Sequence, residues 1–202
     1  MPTSNARIRR YIGIDASLRG TGIALLQLYG NEITRKTLRI AIERIRGPEL
    51  LHLQCNAFLD FICKHTDESM SRVFGICIEA PSIGSVNRAD DMGQIRGAYN
   101  LCCMQNFWPW AMPTEIPPNS LKKFFTGNGS ASKDSMVYAA KEVGWEVDTH
   151  DEADAAGLAE LAWALHDDSC TLTRKQLEAI KGIREMNQST VSKPTNQKIL
   201  NI

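Results

Sequence analysis

The apolar and polar positions divide the chain into short strands and amphipathic helices. Tyr11-Ile12-Gly13-Ile14 is unbroken apolar sequence that ends on a single carboxylate, Asp15. A strand this apolar predicts a central place in a sheet. A turn of small residues follows, Ala16 to Gly20, and then a second apolar run, Thr21 to Leu28. Ile33 to Ile42 mixes Thr34, Lys36, Leu38 and Ile40 with Arg35 and Arg39 at about period two, which predicts a third strand. The short connection at Gly30-Asn31 predicts an antiparallel meander. Gly47-Pro48 then opens a helix whose stripe is Leu51, Cys55, Phe58 and Ile62. Val73 to Ile78 repeats the first pattern, an apolar strand ending on an acid, Glu79. A helix over Asp90 to Asn106 would bury Met92, Ile95, Tyr99 and Cys102, and Trp108 to Ile116 reads as a Pro-bounded strand. A helical turn at SLKKFFTG, a helix capped by Ser132 and closed by Gly144, and a helix from near Thr149 complete the core. Leu158, Leu161 and Leu165 mark the apolar side of the last. A further helix over Arg174 to Met186 leads into a polar segment, 187–202, with the composition of a mobile tail.

The order β-β-β-α-β-α-β-α-α predicts a mixed sheet flanked by helices, an α/β fold. At 202 residues the chain is long enough for one full core. The expected organisation is a domain over 1–170 and an appended helix and tail over 171–202.

Charge changes this picture only by exclusion. Lys plus Arg and Asp plus Glu are equal at 23 each, so net charge does not announce a nucleic-acid partner. Such a partner would need a local basic patch or bound cations. Six cysteines include no C-x-x-C pair, which argues against a zinc site. The polar, basic N-terminus and the interruption of the first apolar run by Asp15 exclude a signal peptide and a membrane span there. A reducing, cytoplasmic compartment is expected.

Four acids stand out by position. Asp15 and Glu79 end apolar strands, where an uncompensated charge is costly. Asp15 also has a plain reading, as a strand-ending turn former. Asp151 and Asp154 are three apart at a helix start and share one face, with Cβ atoms ~5–6 Å apart. They too have a plain reading, complementing the helix dipole. Glu152, between them, points elsewhere and reads as solvated. If the two acid-tipped strands are neighbours, their carboxylates lie at one sheet edge, and a helix start brought there would complete a cluster of four. Such a cluster would not stay ionised unaided. Divalent cations remove the penalty, and hard oxygen ligands suit Mg2+. Two such ions ~3.5–4 Å apart can activate a water and stabilise a leaving oxygen in phosphodiester hydrolysis. Lys122, Lys123, Arg88 and Arg96 read singly as solvated charges. Lys133 is different: it starts a helix, where the dipole disfavours a cation, and a phosphate partner would offset that.

These residues resemble the motifs of RuvC-type Holliday-junction resolvases over roughly residues 10–168. IGIDASLRGTGIAL resembles the family's strand ending in Asp, and CIEAPSIG its strand ending in Glu. MGQIRGAY resembles the G-Q-x-R-G helix, SLKKFFTGNGSASKDSM the lysine-bearing segment, and DEADAAGLAEL the motif D-x-x-D-A-x-x-x-A. The resemblance implies a ribonuclease-H-like five-stranded sheet, three antiparallel strands followed by parallel ones. It implies Asp15, Glu79, Asp151 and Asp154 as metal-binding catalytic acids, two Mg2+ ions with Mn2+ as a substitute, and Lys133 at the scissile phosphate. Lys122 or Lys123, with Arg88 and Arg96, would contact DNA. It further implies a homodimer that nicks opposing strands of a four-way junction, with the helix around Gln94 to Tyr99 at or near the dimer interface.

The chain departs from the pattern in three places. Ser82 stands where bacterial members commonly carry an aromatic residue that probes the junction centre. Some members have His as the first acid of the final pair; here His150 sits one position earlier, which leaves Asp151 in that role. The Pro after Glu79 and the polar tail suit a viral or mobile-element version, which would act in a host cytoplasm. Two other readings remain. IGIDASLRGTG also resembles the phosphate loop of sugar kinases and actin-like ATPases, but the second Gly-rich phosphate motif those proteins need is missing. A catalytically inactive junction-binding protein on the same fold is the non-enzymatic alternative.

Overall fold

In the computed structural model, residues 8–66, 73–81, 89–107, 109 and 111–191 are described. Five strands form one sheet: β1 (Arg9–Asp15), β2 (Thr21–Tyr29), β3 (Glu32–Ile40), β4 (Val73–Glu79) and β5 (Pro113–Ile116). Their order is β3-β2-β1-β4-β5. β1, β2 and β3 pair antiparallel, and β4 and β5 extend the sheet in parallel from β1. The helices are α1 (Gly47–His65), α2 (Ala89–Phe107), α3 (Pro118–Thr126), α4 (Lys133–Glu142), α5 (His150–His166) and α6 (Arg174–Val191). The expected mixed five-stranded sheet and its flanking helices are therefore present.

The pleat assigns alternate residues to two cores. Ile12, Ile14, Ile23, Leu25, Ile76 and Ile78 pack with Phe58 and Ile62 of α1 and with Ile95, Tyr99 and Phe107 of α2. Tyr11, Ala24, Leu26 and Cys77 face the other way, toward α5 and its neighbours α3, α4 and α6. Ile180 and Ile183 of α6 are buried in that second core.

Four details differ from the sequence pattern. The buried side of α1 is Leu50, Gln54, Phe58, Phe61 and Ile62, which turns Leu51 and Cys55 to its half-buried flank. Of the strand expected over Trp108 to Ile116, residues 108 and 110 lie outside the described residues, and the described strand is Pro113–Ile116; the Ala111 N–H is bonded back to the Phe107 carbonyl at 3.2 Å, at the end of α2. The final helix runs on to Val191, and 192–202 lies outside the described residues. Glu152 is not a solvated acid. Its Oε2 accepts the Thr149 N–H at 2.9 Å, while the Thr149 hydroxyl accepts the Glu152 N–H at 3.3 Å, a reciprocal cap on α5. All six cysteines are free, and no described helix is long and apolar enough to cross a membrane.

α5 is buried on nearly every side: Ala153, Ala155, Ala156, Leu158, Ala159, Leu161 and Ala162 are all fully enclosed. It can lie this close to the sheet because the strands beneath it offer glycines. A Cβ on Gly13 would come 2.0 Å from the Ala155 carbonyl oxygen, and one on Gly22 would come 1.9 Å from that of Asp151. Neither backbone atom can move without lifting the helix. Gly13→Ala or Gly22→Ala is expected to destabilise the fold by ~1–3 kcal/mol or more, the range of overpacked cores. Urea midpoints measure this, and an unchanged midpoint would show that α5 is not seated as described.

Candidate active site

β1 and β4 both end on an acid, and the pleat decides where those acids point. Ile12, Ile14 and Ala16 face α1 and α2, so Asp15 faces α5 with Tyr11 and Gly13. Ile76 and Ile78 likewise leave Gly75, Cys77 and Glu79 on the α5 side. The strands run parallel with Ile14 opposite Ile78, which makes Asp15 and Glu79 the next pair along. On the other flank Asp15 pairs with Gly22, and Gly22 with Arg39 of β3. Arg39, Gly22, Asp15 and Glu79 thus form one row across the sheet. The first turn of α5 lies over the Gly22 end of that row, which delivers Asp151 and Asp154.

Burial turns this proximity into an electrostatic conflict. Asp15 is only 8% exposed. Desolvation, reinforced by the charges of Glu79 and Asp154, holds its carboxyl well above the usual range. Asp15 lies close enough to Glu79 to share a proton with it, Asp15 retaining it and Glu79 accepting. Glu79 is also raised, by burial and by Asp154, while Lys122 and Lys133 pull it down. Burial pushes Asp154 up to about 6 against the same two lysines.

Asp151 stands apart from the other three. Its Oδ2 accepts from the Arg39 guanidinium at 2.9 Å. A Cβ on Gly20 would meet both partners, at 2.5 Å from Asp151 Oδ2 and 2.6 Å from Arg39 Nη2. The room at Gly20 is therefore taken by this ion pair. His150 lies 3.2 Å from Asp134 at the start of α4.

Of the expected basic residues, Lys122 and Lys133 face the carboxylates, from α3 and from the first residue of α4. Lys123 is exposed. Arg96 is engaged with Glu115 of β5 at 3.2 Å. Arg88 and Ser82 lie outside the described residues.

The sequence pattern missed the support beneath Asp15. Gln54 of α1, fully buried, donates to the Ser17 carbonyl at 3.2 Å and accepts from the Tyr99 hydroxyl at 3.2 Å. Thr21 donates to the same carbonyl at 2.7 Å and accepts the Ser17 N–H at 3.1 Å. These bonds pin the turn that follows the acid. A helical position four before Phe58 was the available signal for Gln54, and the strand register was the signal for Arg39.

Among the described residues, no three His, Cys, Asp or Glu side chains converge on one point as a finished ligand set. The donor chemistry nevertheless fits a hard divalent cation. One buried and two half-buried carboxyls share an edge, and each is raised by desolvation first and by its acidic neighbours second. A cation would relieve the repulsion among them.

No family model matches the chain, and no curated protein matches it significantly. Solved structures do. A structure of Thermus thermophilus RuvC matches with a TM-score of 0.60 at 16% identity, covering 77% of this chain and 95% of that one. T. thermophilus RuvC in complex with Holliday junction substrate gives a TM-score of 0.62 at 16% identity, covering 77% and 94%. The chain has the RuvC fold. The ribonuclease-H-like sheet expected from the motif resemblance is the sheet that RuvC shares with it.

In this RuvC-fold cluster, the folded state keeps protons that unfolded Asp and Glu release near pH 4. The folded chain therefore binds more protons than the unfolded one above that pH, through about 6 for Asp154, and stability falls as pH rises across the interval. In EDTA, the thermal midpoint is expected to fall from pH 4.5 to 7. Asp15→Asn should flatten that slope and raise the midpoint at pH 7. The gain is on the order of 1.4 kcal/mol for each pKa unit relieved, at about 2–4 °C per kcal/mol for this size. A variant with the wild-type slope would remove Asp15 from the coupled cluster.

Proposed function

We propose that the protein is a Mg2+-dependent DNA endonuclease that resolves four-way (Holliday) or related branched junctions by paired nicks from a homodimer. The observation that carries this reading is the gathering of Asp15, Glu79 and Asp154 at one sheet edge, faced by Lys122 and Lys133. The likeness to RuvC, one structure of which holds a Holliday junction substrate, supports the choice of DNA geometry. Residues 1–170 carry this machinery, and 171–202 add α6 and the polar segment.

Asp15 would be the central ligand, because it is the most buried of the acids and the charges of Glu79, Asp154 and Asp151 all act on it. Glu79 and Asp154 would hold the ions with it, and Asp151 would join them on leaving Arg39. Two Mg2+ ions, or Mn2+ in their place, would supply a water of lowered pKa and a stabiliser for the leaving oxygen. Lys133, at the start of α4, would hold the scissile phosphate, and Lys122 would offset the remaining carboxylate charge. Lys123, Arg88 and Arg96 are assigned to DNA farther from the reacting phosphate, with Arg96 held by Glu115 until then. The compartment proposed is a reducing cytoplasm, in keeping with free cysteines.

Labelled four-way junctions in Mg2+ should be nicked symmetrically. Asp15→Asn should leave only background cleavage, and Lys133→Ala should lose ~10²–10³ in rate, as when one charge-stabilising donor is removed. The specific observation for a second reading, junction binding without hydrolysis, is the Asp151–Arg39 pair, which leaves the four acids unassembled. Tight binding with no cleavage in Mg2+ or Mn2+ would select it and sink the nuclease.

Dimerisation has a candidate face. On α2, Ile95 and Tyr99 are buried, whereas Leu101 and Met104 are 55% and 43% exposed on the same flank as Gly93 and Gly97. Among the described residues, no atom outside the helix backbone lies within 4 Å of where a Cβ on either glycine would be. Leu101→Glu with Met104→Glu should convert a dimer to a monomer in analytical ultracentrifugation with the melting curve unchanged. A dimer that survives both changes would move the interface elsewhere.

A further inference from the structure

A groove of about 640 Å³ opens beside the catalytic edge, on the α1/α2 side of the sheet. It lies between the turn that follows Asp15, the β3–α1 connection and the first turns of α2. Its size is within the range of sites that take a small organic group, ~300–1,000 Å³.

Three arginines line it: Arg19 from the turn, and Arg44 and Arg46 from the connection. All three are exposed, and none has an ion-pair partner among the described residues. Arg44 is the one described non-glycine residue with a positive φ, 66°. A bulky residue held there is strained, and such strain persists where surrounding structure imposes it. Arg46 is also the N-cap of α1 and provides no capping side-chain bond, and the first turn of this 19-residue helix lines the groove through Gly47 and Leu50.

The rest of the wall distinguishes a nucleotide from a bare phosphate. Leu18, Ile42 and Met92 give it an apolar floor. Glu43, Asp91 and Gln94 also reach it. Carboxylates would repel a phosphate, but they accept from the amino groups on a base edge. Arginines, an apolar floor and acceptors together match phosphate, base face and base edge.

We propose that this groove is a nucleotide subsite. It takes one unpaired nucleotide of the DNA strand that passes over Asp15, with Arg19, Arg44 and Arg46 on its flanking phosphates and its base against Leu18, Ile42 and Met92. The inference rests on the nuclease reading, and it adds a second holding point across the carboxylates from Lys122 and Lys133.

The test uses the full chain with four-way junctions in Ca2+, so that binding is read without cleavage. The variant is Arg19→Ala with Arg44→Gly and Arg46→Ala; glycine suits the positive φ, and all three side chains are exposed, so the fold is kept. Junctions carrying 2-aminopurine at successive positions beside the nick report an unstacked base by increased fluorescence. The wild type should show the increase at one position, and the triple variant should lose it. The slope of log K against log salt should also become shallower by about 2, from ~0.7 per single-strand phosphate. A triple variant with wild-type slope and fluorescence overturns the subsite and leaves the nuclease reading standing. A shallower slope with no fluorescent position in the wild type overturns it as well, since the arginines would then hold only backbone. A wild type that does not bind the junction overturns both.

Discussion

The seating of α5 on a path of glycines is the constraint on which the rest depends. Gly13, Gly22 and Gly75 remove the side chains that would hold a helix off β1, β2 and β4. The alanines of α5 then meet backbone directly, and packing at that distance tolerates no added methyl group. Gly22 does double service. It is the sheet partner of Asp15, and its missing Cβ is the space into which the Asp151 carbonyl fits. One glycine therefore sets the distance between the acid that ends β1 and the acids that begin α5. The capping box at Thr149 and Glu152 fixes the phase of that first turn.

Such close seating also creates the electrostatic problem. A carboxyl on a strand end is tolerable when water reaches it, but α5 covers Asp15 almost completely. Two lysines face the cluster, and Asp15, Glu79 and Asp154 still keep raised affinities for protons. The fourth acid solves its share of the problem separately, by pairing with Arg39. The acids are thus divided into a trio with raised proton affinity and an ion-paired single. This division explains how four acids in sequence positions typical of a ligand set can be near one another and still not form one.

Much of this was legible in the sequence where period and position coincide with chemistry. Asp15 and Glu79 interrupt apolar runs at their last residue, so both the strands and their acids could be read together. The motifs that resemble RuvC lie at those same positions, which is why a fold shared at 16% identity was still recognisable. The glycine path was not legible, because a glycine in a strand looks the same whether it faces a helix or open space. The burial of α5 was understated because leucines mark only one side, whereas the alanines that contact the sheet carry little hydrophobic signal. Gln54 was hidden because a polar residue in an apolar stripe reads as exposed, although its amide satisfies a buried turn. The apolar composition of 108–116 hides the later start of the described strand at Pro113, which the prolines at 109 and 113 mark.

The equal numbers of acidic and basic residues acquire a physical meaning from this arrangement. A chain with no net charge exerts little long-range pull on a polyanion at physiological ionic strength, where fields fade within ~8 Å. On the proposed function, whatever holds DNA would have to act at contact. Among the described residues, cations stand on two sides of the carboxylate edge: Lys122 and Lys133 come from the layer that contains α5, and Arg19, Arg44 and Arg46 from the side of α1 and α2. A strand held from both sides has to cross the sheet edge between them, directly over Asp15. With weak steering from afar and two-sided holding nearby, discrimination would rest on how the backbone bends and opens rather than on charge density. A branched junction satisfies that condition more readily than a straight duplex, because its strands part at the crossover and can reach both sides of the edge without unpairing an intact helix.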